Sequence, residues 1–153
     1  MESSIKGLVF TERTSESARF FHILPEDWQE GIAPYWKDYK GSSRIFTLEH
    51  DGHIIGGGIT FLKPAPDTLA YEKISIELFR EGRIYFGFLW LSPQFRGNDL
   101  GSYWVNNLRL KFPNKKFWLS IEDKGLSGFY QKNGFTISKE IEVNGSTEWI
   151  MID

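Results

Sequence analysis

The 153-residue sequence contains no cysteine. This absence excludes disulfide bonds, zinc sites built on thiolates and a thiol nucleophile. Long apolar runs are also missing, since the longest, Ile84 to Leu91, has the length of a strand and is far short of the roughly 18 residues that span a bilayer. The N-terminal segment is polar and carries acids early, unlike a signal peptide. We therefore expect a soluble, cytoplasmic protein without a membrane partner.

Charge and histidine content argue against a nucleic-acid-binding protein and against a metalloprotein. The formal net charge is -2, so the overall balance gives no signal for nucleic-acid binding, and no nucleic-acid partner is expected. The three histidines, His22, His50 and His53, show no metal-ligand spacing with carboxylates. No metal site is predicted.

The remaining composition is typical of one globular domain. Apolar residues make up 41% of the chain and charged residues 25%. Aromatic residues reach 16%, which favours a core rich in rings. No repeat or linker divides the sequence, so we expect one domain over residues 1–153, with residues 1–16 as an N-terminal extension.

Hydrophobic spacing predicts strands and helices in the first half of the chain. A helix is expected to open at Pro25 and to be kinked or split at Pro34. The segment 63–82 fits a helix or a strand, and we favour a helix. Gly56 to Gly58 is unusual inside a strand and predicts a bulge or the close approach of another group. The predicted strands of this half are 18–24, 44–49 and 53–61, the last two joined by an Asp-Gly turn.

The second half alternates strands and helices and ends in a hairpin. Its central strand is nearly continuously apolar, as expected for a strand covered on both faces. Asn144-Gly145 is a strong signal for a two-residue turn. The predicted strands are 83–91, 116–121, 135–143 and 147–150, with helices over 99–111 and 125–132. Together the two halves predict a mixed α/β sheet.

The junction between the central strand and the next helix is the most informative stretch. The strand stops at Pro93, a loop carries Gln94, Arg96 and Gly97, and a helix follows at once. A helix N-terminus presents unpaired N–H groups and a positive dipole end, which suit a phosphate. An ordinary strand-to-helix turn, capped by Asn98 or Asp99, is the alternative.

Two motifs in this half resemble a known family. Residues 91–101 (LSPQFRGNDLG) are similar to the acetyl-CoA signature Q/R-x-x-G-x-G/A of the GNAT (Gcn5-related N-acetyltransferase) superfamily. About 30 residues later, Gly128 to Phe135 (GFYQKNGF) resembles its second landmark, a helix with Tyr followed by Gly-Phe. The resemblance implies a GNAT acyltransferase fold, with a mixed, mostly antiparallel central sheet flanked by helices on both faces.

The sequence departs from the family pattern at Asp99. This position, two residues after Gly97, is usually Gly or Ala, and a carboxylate near two phosphates is repulsive unless it turns away. We expect Asp99 to cap the helix and point to solvent, because Gln94, Arg96 and Gly101 are in place. Loss of cofactor affinity is the other interpretation.

The resemblance implies roles for the residues of both motifs. Leu89 and Leu91 would pair through their backbones with the pantetheine arm, and a strand N–H would stabilise the oxyanion. Tyr130 would protonate the departing thiolate. Pyrophosphate binding falls to Gln94 and to the amides of Phe95, Arg96, Gly97, Asn98, Asp99, Leu100, Gly101 and Ser102. Acetyl-CoA is therefore the expected co-substrate.

The base that accepts the acceptor's proton is less clear. The central strand contains no acid, although part of the family carries a Glu there. Glu81, Glu122 and Asp123 are the nearest candidates, acting through water, and Glu77 depends on the fold of segment 63–82. Each of them is also a candidate for a solvated surface acid.

The predicted function is direct transfer of an acetyl group to a primary amine on a small molecule or peptide. In this fold the first helices and the C-terminal hairpin usually shape the acceptor site. Here these segments carry seven acids, diluted by Lys37, Lys40 and Arg44: Glu26, Asp27, Glu30, Asp38, Glu140, Glu142 and Glu148. An acidic rim suits a cationic amine. Two alternatives are a silent binding or sensor module and a protein that docks a partner through Trp28, Tyr35, Trp36 and Trp149. Pairing through the late strands would give a homodimer.

Overall fold

The computed structural model describes residues 5–153. Seven strands form one sheet in the order β1-β2-β3-β4-β5-β7-β6, and every neighbouring pair is antiparallel except β4 and β5. The strands are β1 Val9–Glu12, β2 Ser43–His50, β3 His53–Phe61, β4 Ile84–Leu91, β5 Phe117–Ile121, β6 Thr136–Val143 and β7 Ser146–Ile152. This arrangement confirms the predicted mixed, mostly antiparallel sheet.

The helices are short, and one of them exceeds ten residues. They are α1 Ser17–Phe21, α2 Glu26–Ile32, α3 Trp36–Tyr39, α4 Glu72–Arg80, α5 Leu100–Lys111 and α6 Ser127–Lys132. A 3-10 turn at Ala33–Tyr35 separates α2 from α3, so Pro34 does split the predicted helix. A second 3-10 helix, Pro66–Tyr71, precedes α4, which resolves segment 63–82 as helical.

Two hydrophobic cores lie on opposite faces of the sheet. Alternation along the strands sends neighbouring residues to different cores: Phe86 and Phe117 pack with Trp104 of α5, while Tyr85 and Trp118 pack on the other face. The second core also receives residues from α1 to α4. Burial on both faces explains why β4 reads as a continuous apolar run.

The prediction of a strand over 18–24 was wrong, because this segment begins with helix α1. Phe20 and Phe21 are buried there, and His22 N donates to Ala18 O at 3.0 Å. A short apolar run does not distinguish a strand from a buried helix by periodicity alone. Residues 9–12, within the predicted extension, form the edge strand β1, whereas residues 1–4 lie outside the described part.

The glycine triplet in β3 allows close approach of side chains. A Cβ on Gly58 would lie 2.7 Å from Trp104 Cζ2, and one on Gly56 would lie 2.5 Å from Leu91 Cδ2. Both distances are shorter than carbon atoms tolerate. Gly58 therefore makes room for the indole of α5, whose Nε1 donates to Phe46 O at 3.0 Å.

Candidate active site

Strands β4 and β5 separate after a short stretch of pairing. They pair through Ile84 with Phe117 and Tyr85 with Trp118, and no further pair is formed among the described residues. Beyond this point β4 has a bulge: Gly87 faces Ile59 and Trp90 faces Gly57, while Phe88 adopts a left-handed conformation with φ 55°. The bulge turns β4 away from β5 and opens the sheet.

A cavity of about 710 Å³ occupies this opening. Volumes of this size are typical of small-molecule sites. Its walls come from the two strands, from α2 and α3, from the segment 66–69 and from the region around α6. They include Trp28, Tyr35, Tyr39, Tyr85, Phe88, Leu89, Leu119, Ile121, Leu126 and Tyr130.

The cavity wall carries charge of one sign. Six carboxylate residues line it, and its lining within residues 5–153 contains no Lys, Arg or His: Asp27, Glu30, Asp67, Glu122, Asp123 and Glu148. Such a lining favours a cation and repels a ligand with a carboxylate of its own. Asp27, Glu30 and Glu148 belong to the acids noted in the sequence for the acceptor region.

The loop after β4 leads into the N-terminus of α5 at one end of this opening. Gly97 has φ 84°, and a Cβ placed on it would meet nothing within 4 Å, so the backbone is open to a ligand. Arg96 Nε donates to Leu91 O at 3.0 Å, and its guanidinium carbon lies 4.4 Å from the Trp90 ring centre. The loop is thus fixed against β4 while remaining exposed.

The other loop residues divide into exposed and buried groups. Gln94 and Asn98 are exposed, and Asn98 Nδ2 donates to Phe95 O at 3.0 Å. At the start of α5, the first-turn amides lack a carbonyl four residues back within the helix, as at any helix start. Three of the residues in this turn are buried, namely Leu100, Gly101 and Ser102. Their contribution to an anion site would come from the backbone.

Gly101 has a packing role that the sequence did not reveal. A Cβ at this position would lie 2.7 Å from Phe129 Cζ of α6. The residue therefore lets α5 and α6 approach each other closely. The sequence predicted only that the Gly101 amide would contact pyrophosphate, and the contact with Phe129 adds a packing reason for glycine at this position.

Asp99 turns its carboxylate toward α6 rather than toward the helix amides. It occupies the N-cap position with φ 56° but makes no side-chain capping bond. Lys132 Nζ lies 2.9 Å from Asp99 Oδ1 instead. The Lys132 ammonium, followed by the Ser102 hydroxyl, lowers the pKa of Asp99. The negative charge near the loop is accordingly paired.

Tyr130 lies in the wall of the cavity. Its residue surface is 9% exposed, and burial raises the pKa of its phenol above the usual value of 10.0. Its hydroxyl makes no hydrogen bond to any of residues 5–153. A protonated phenol with an unoccupied donor at a cavity wall can serve as an acid for a bound leaving group.

The structure brings two of the three predicted base candidates to the cavity. Glu122 and Asp123 line it, and Asp123 Oδ1 accepts a hydrogen bond from Gly125 N at 2.8 Å. Glu81 lies elsewhere, because it follows α4 at the opposite end of β4 from the bulge. With Glu77 it lines a separate cavity of about 270 Å³, so neither acid joins Tyr130.

A polar cluster that the sequence did not identify also faces the cavity. Tyr85 OH donates to Asp67 Oδ2 at 2.5 Å, and the Tyr71 and Ser120 hydroxyls lie 2.7 Å apart. Desolvation by the surrounding protein raises the pKa of the Asp67 carboxyl to about 6, partly offset by the Tyr85 hydrogen bond, although the residue as a whole is exposed. Burial first, and then the charges of Glu122 and Asp67, raise the pKa of Glu148. No local motif marks these residues.

The aromatic residues considered for partner docking serve mostly inside the molecule. Trp36 is buried, and Trp28 is half-buried against Phe88 and Trp90. Trp149 Nε1 donates to Glu140 Oε1 at 2.9 Å. Tyr35, which is 49% exposed, also lines the cavity. The four rings do not form one exposed surface.

The residues at the β4–β5 opening fit acetyl-CoA. The unpaired edge of β4 offers a backbone for the pantetheine arm, and the open Gly97 backbone and the start of α5 offer N–H groups for phosphate. Of the predicted cofactor-binding residues, Leu89 lines the cavity together with Tyr130, whereas the residues of the loop 94–102 are not among its lining residues. Because Asp99 is paired with Lys132, its carboxylate is not free to repel a ligand at the loop.

Comparison with known proteins agrees with this geometry. The profile of the acetyltransferase (GNAT) family matches residues 12–135. No curated protein matches the chain at a significant level. The match covers most of the sequence and confirms the class that the motifs indicated, an acetyl-CoA-dependent acyltransferase. The chain belongs to the acetyltransferase (GNAT) family.

Solved structures share the fold at low sequence identity. An acyl-CoA N-acyltransferase from Pseudomonas aeruginosa is 14% identical, with a TM-score of 0.67 over 95% of this chain and 98% of that one. A GNAT acetyltransferase from Elizabethkingia anophelis with acetyl-CoA bound is 14% identical, with a TM-score of 0.62 over 97% and 98%. Arabidopsis thaliana Naa50, in complex with the bisubstrate analogue CoA-Ac-MVNAL, is 14% identical, with a TM-score of 0.63 over 96% and 98%.

Metal ligation and membrane crossing both find no support within residues 5–153. No group of three or more His, Asp or Glu side chains in this range is arranged to hold a metal ion. None of the helices described combines the length and the apolar character that a membrane crossing requires.

Proposed function

We propose that the protein transfers the acetyl group of acetyl-CoA directly to a cationic primary amine that carries no carboxylate. The observation that carries this proposal is the cavity at the β4–β5 opening, which joins the phenol of Tyr130 to a wall of carboxylates. The acetyl-CoA-bound relative from Elizabethkingia anophelis supports the co-substrate, and Naa50 with its bisubstrate analogue supports an amine acceptor.

The chain's own residues supply the steps of a direct transfer. After the ammonium has lost one proton, the neutral amine nitrogen forms a bond to the thioester carbonyl carbon, and an N–H on the free edge of β4 stabilises the oxyanion. As the carbon–sulfur bond breaks, Tyr130 donates its proton to the thiolate. The new amide nitrogen loses its remaining extra proton to solvent, and solvent returns a proton to the Tyr130 phenolate.

The acceptor class follows from the lining of the cavity. Six carboxylates without a basic counterpart attract an ammonium and disfavour an amino acid, whose carboxylate would be unpaired. The rings of Trp28, Tyr35 and Phe88 offer an apolar wall, so an amine with an aromatic or aliphatic body is favoured. Tyramine and tyrosine form a matched pair of probes that differ by the carboxylate.

The experiment has two arms. Thermal unfolding with acetyl-CoA, CoA and ADP tests the co-substrate: a ligand at about 100 times its Kd stabilises the fold by about 2.7 kcal/mol, which raises Tm by several degrees. Release of the CoA thiol is then followed with tyramine and with tyrosine. We expect acetylation of tyramine in preference to tyrosine. No Tm shift at millimolar acetyl-CoA would contradict the co-substrate, and preference for tyrosine would contradict the acceptor class.

The alternative of a silent binding module had two supports in the sequence, the carboxylate of Asp99 near the phosphates and the absence of an acid in the central strand. The first is weakened because Asp99 is paired with Lys132, while the second stands, since β4 carries no acid. A cytoplasmic location and a homodimer stay predictions. For the homodimer, the edge strand β6, whose other side pairs with β7, is available at the border of the sheet.

A further inference from the structure

Asp67 is one of the carboxylates in the wall of the cavity that Tyr130 also lines. It belongs to the 3-10 helix Pro66–Tyr71, which is part of the segment between β3 and β4. Tyr130 gives independent evidence of a ligand at this cavity, because it is nine-tenths buried and its hydroxyl has no hydrogen-bond partner among residues 5–153. β4 itself carries no acid, so a base must come from another element.

Tyr85 fixes the orientation of the Asp67 carboxylate. Its ring is 2% exposed and lies 4.4 Å, centre to centre, from the ring of Trp118. From this rigid site in β4 its hydroxyl donates to Asp67 Oδ2 at 2.5 Å. One carboxylate oxygen is thus held by the protein, while the other oxygen makes no side-chain hydrogen bond within the described range.

The surroundings of Asp67 are polar and mainly acidic. Glu122 after β5 and Glu148 on β7 are the charged groups that interact with it, and Tyr71 and Tyr39 are the other phenols affected by its charge. Glu148 is 8% exposed, so a carboxylate here is built into the wall rather than solvated. Three acids around one space would be stabilised by a bound ammonium.

We propose that Asp67 is the base that removes a proton from the acceptor's ammonium and that Tyr85 is the positioning residue that holds it. This inference rests on the proposed acetyl transfer to an amine. Asp67 takes one proton from R–NH₃⁺, which leaves the neutral amine to attack the thioester. The carboxylic acid so formed returns its proton to solvent, and the net reaction releases one proton with the acetylated amine and the CoA thiol.

The pKa of Asp67 is suited to this task. Desolvation of the carboxyl by neighbouring protein atoms raises its pKa to about 6, so the group is ionised at neutral pH but holds a proton more readily than an ordinary Asp. The charge of Glu122 contributes to the increase, and the Tyr85 hydrogen bond opposes it. Replacement of Tyr85 by Phe should therefore move the pKa of Asp67 to a higher value.

The kinetic test compares pH profiles of kcat/KM for tyramine. In the wild-type protein we expect kcat/KM to fall below about pH 6, which gives the profile an acidic limb. Asp67→Asn should lower kcat/KM at neutral pH by about 100-fold, and its rate should then rise only with the amine's own deprotonation. Tyr85→Phe should retain the acidic limb but shift it to higher pH. Glu72→Gln, on the same segment but outside the cavity, is the matched control and should keep the wild-type profile.

The second test does not depend on turnover. The ¹³Cγ signal of Asp67 is titrated by NMR in the CoA-saturated protein, with and without tyramine. A bound ammonium stabilises the carboxylate, so tyramine should lower the pKa of Asp67. A titration that tyramine leaves unchanged, or an Asp67→Asn profile that keeps the acidic limb and rate, overturns the proposal for Asp67. Absence of turnover with every amine in the wild type contradicts acetyl transfer instead, and the NMR titration then still decides whether Asp67 lies at an amine site.

Discussion

Lys132 Nζ lies 2.9 Å from Asp99 Oδ1, so a residue of α6 neutralises the carboxylate at the position where the family usually has Gly or Ala. Both side chains are about half exposed, and the pair is therefore worth little to stability. Its effect on an anionic ligand is different. A free carboxylate at the start of α5 would repel phosphate, whereas a carboxylate paired with an ammonium repels phosphate less.

This pairing predicts the effect of Lys132→Ala on CoA affinity. With the ammonium gone, we expect binding to weaken by about 3- to 10-fold at low salt and less at high salt. Isothermal titration with CoA measures the change. The double variant Lys132→Ala with Asp99→Gly should recover affinity, and Gly suits the left-handed conformation at this position. A double variant as weak as the single one would show that Lys132 acts on CoA by itself.

Two helical glycines should respond oppositely to alanine. Gly101→Ala places a Cβ 2.7 Å from Phe129 Cζ, and we expect a loss of about 1–3 kcal/mol from overpacking between α5 and α6. Gly128→Ala in α6 meets nothing within 4 Å and should stabilise by up to about 1 kcal/mol. Urea unfolding of both variants without ligand measures the difference. Equal effects at the two sites would mean that the contact with Phe129 is not a constraint.

The parts of the fold that the sequence predicted depend on local patterns. Apolar patterns and turn signals located six of the seven strands, and Pro34 located the break between α2 and α3. The two family motifs lie within short windows, 91–101 and 128–135, so spacing alone identified them. The segment 18–24 failed because seven apolar-rich residues do not distinguish a strand from a buried helix.

The parts of the site that the sequence did not predict depend on distant residues. Asp67 and Tyr85 are 18 positions apart, and their contact follows from how the segment between β3 and β4 folds over β4. Lys132 and Asp99 are 33 positions apart. Glu81 is close to β4 in sequence but lies at its other end. Proximity along the chain was therefore a poor guide for Glu81, because the topology of the sheet determines which acids face the cavity.

A buried carboxylate outside the cavity gives a prediction about acid stability. Glu49 accepts hydrogen bonds from Arg13 Nε at 2.8 Å and from Thr47 Oγ1 at 2.7 Å, which join the segment after β1 to β2. The Arg13 hydrogen bond lowers the pKa of Glu49 from 4.5, although burial opposes it. A lowered folded pKa means stabilisation that is present above about pH 4.5 and is lost as the pH falls below it.

Glu49→Gln should therefore lower Tm by a few degrees at pH 7, and its difference from the wild type should shrink below pH 4.5. Thermal unfolding at several pH values measures this. The matched control is Glu16→Gln, which removes an exposed partner of the same Arg13 and should change Tm little. If the difference in Tm between Glu49→Gln and the wild type stays constant down to about pH 3, the lowered pKa of Glu49 is contradicted.

Tyr130→Phe tests the phenol as an acid without disturbing the fold. The hydroxyl has no hydrogen-bond partner among residues 5–153, so its removal should leave Tm unchanged or slightly higher. CoA affinity should stay within about 2-fold, because the loop proposed to bind phosphate is untouched, while kcat should fall by about 100-fold. Burial raises the pKa of Tyr130 above 10.0, so the wild-type enzyme should show no loss of kcat from this group between neutral pH and about pH 10. On one preparation, thiol release measures kcat, titration with CoA measures affinity and thermal unfolding measures Tm. Tyr103→Phe on α5, outside the cavity, is the control. Wild-type kcat in Tyr130→Phe would mean that the thiolate obtains its proton from solvent or from another side chain.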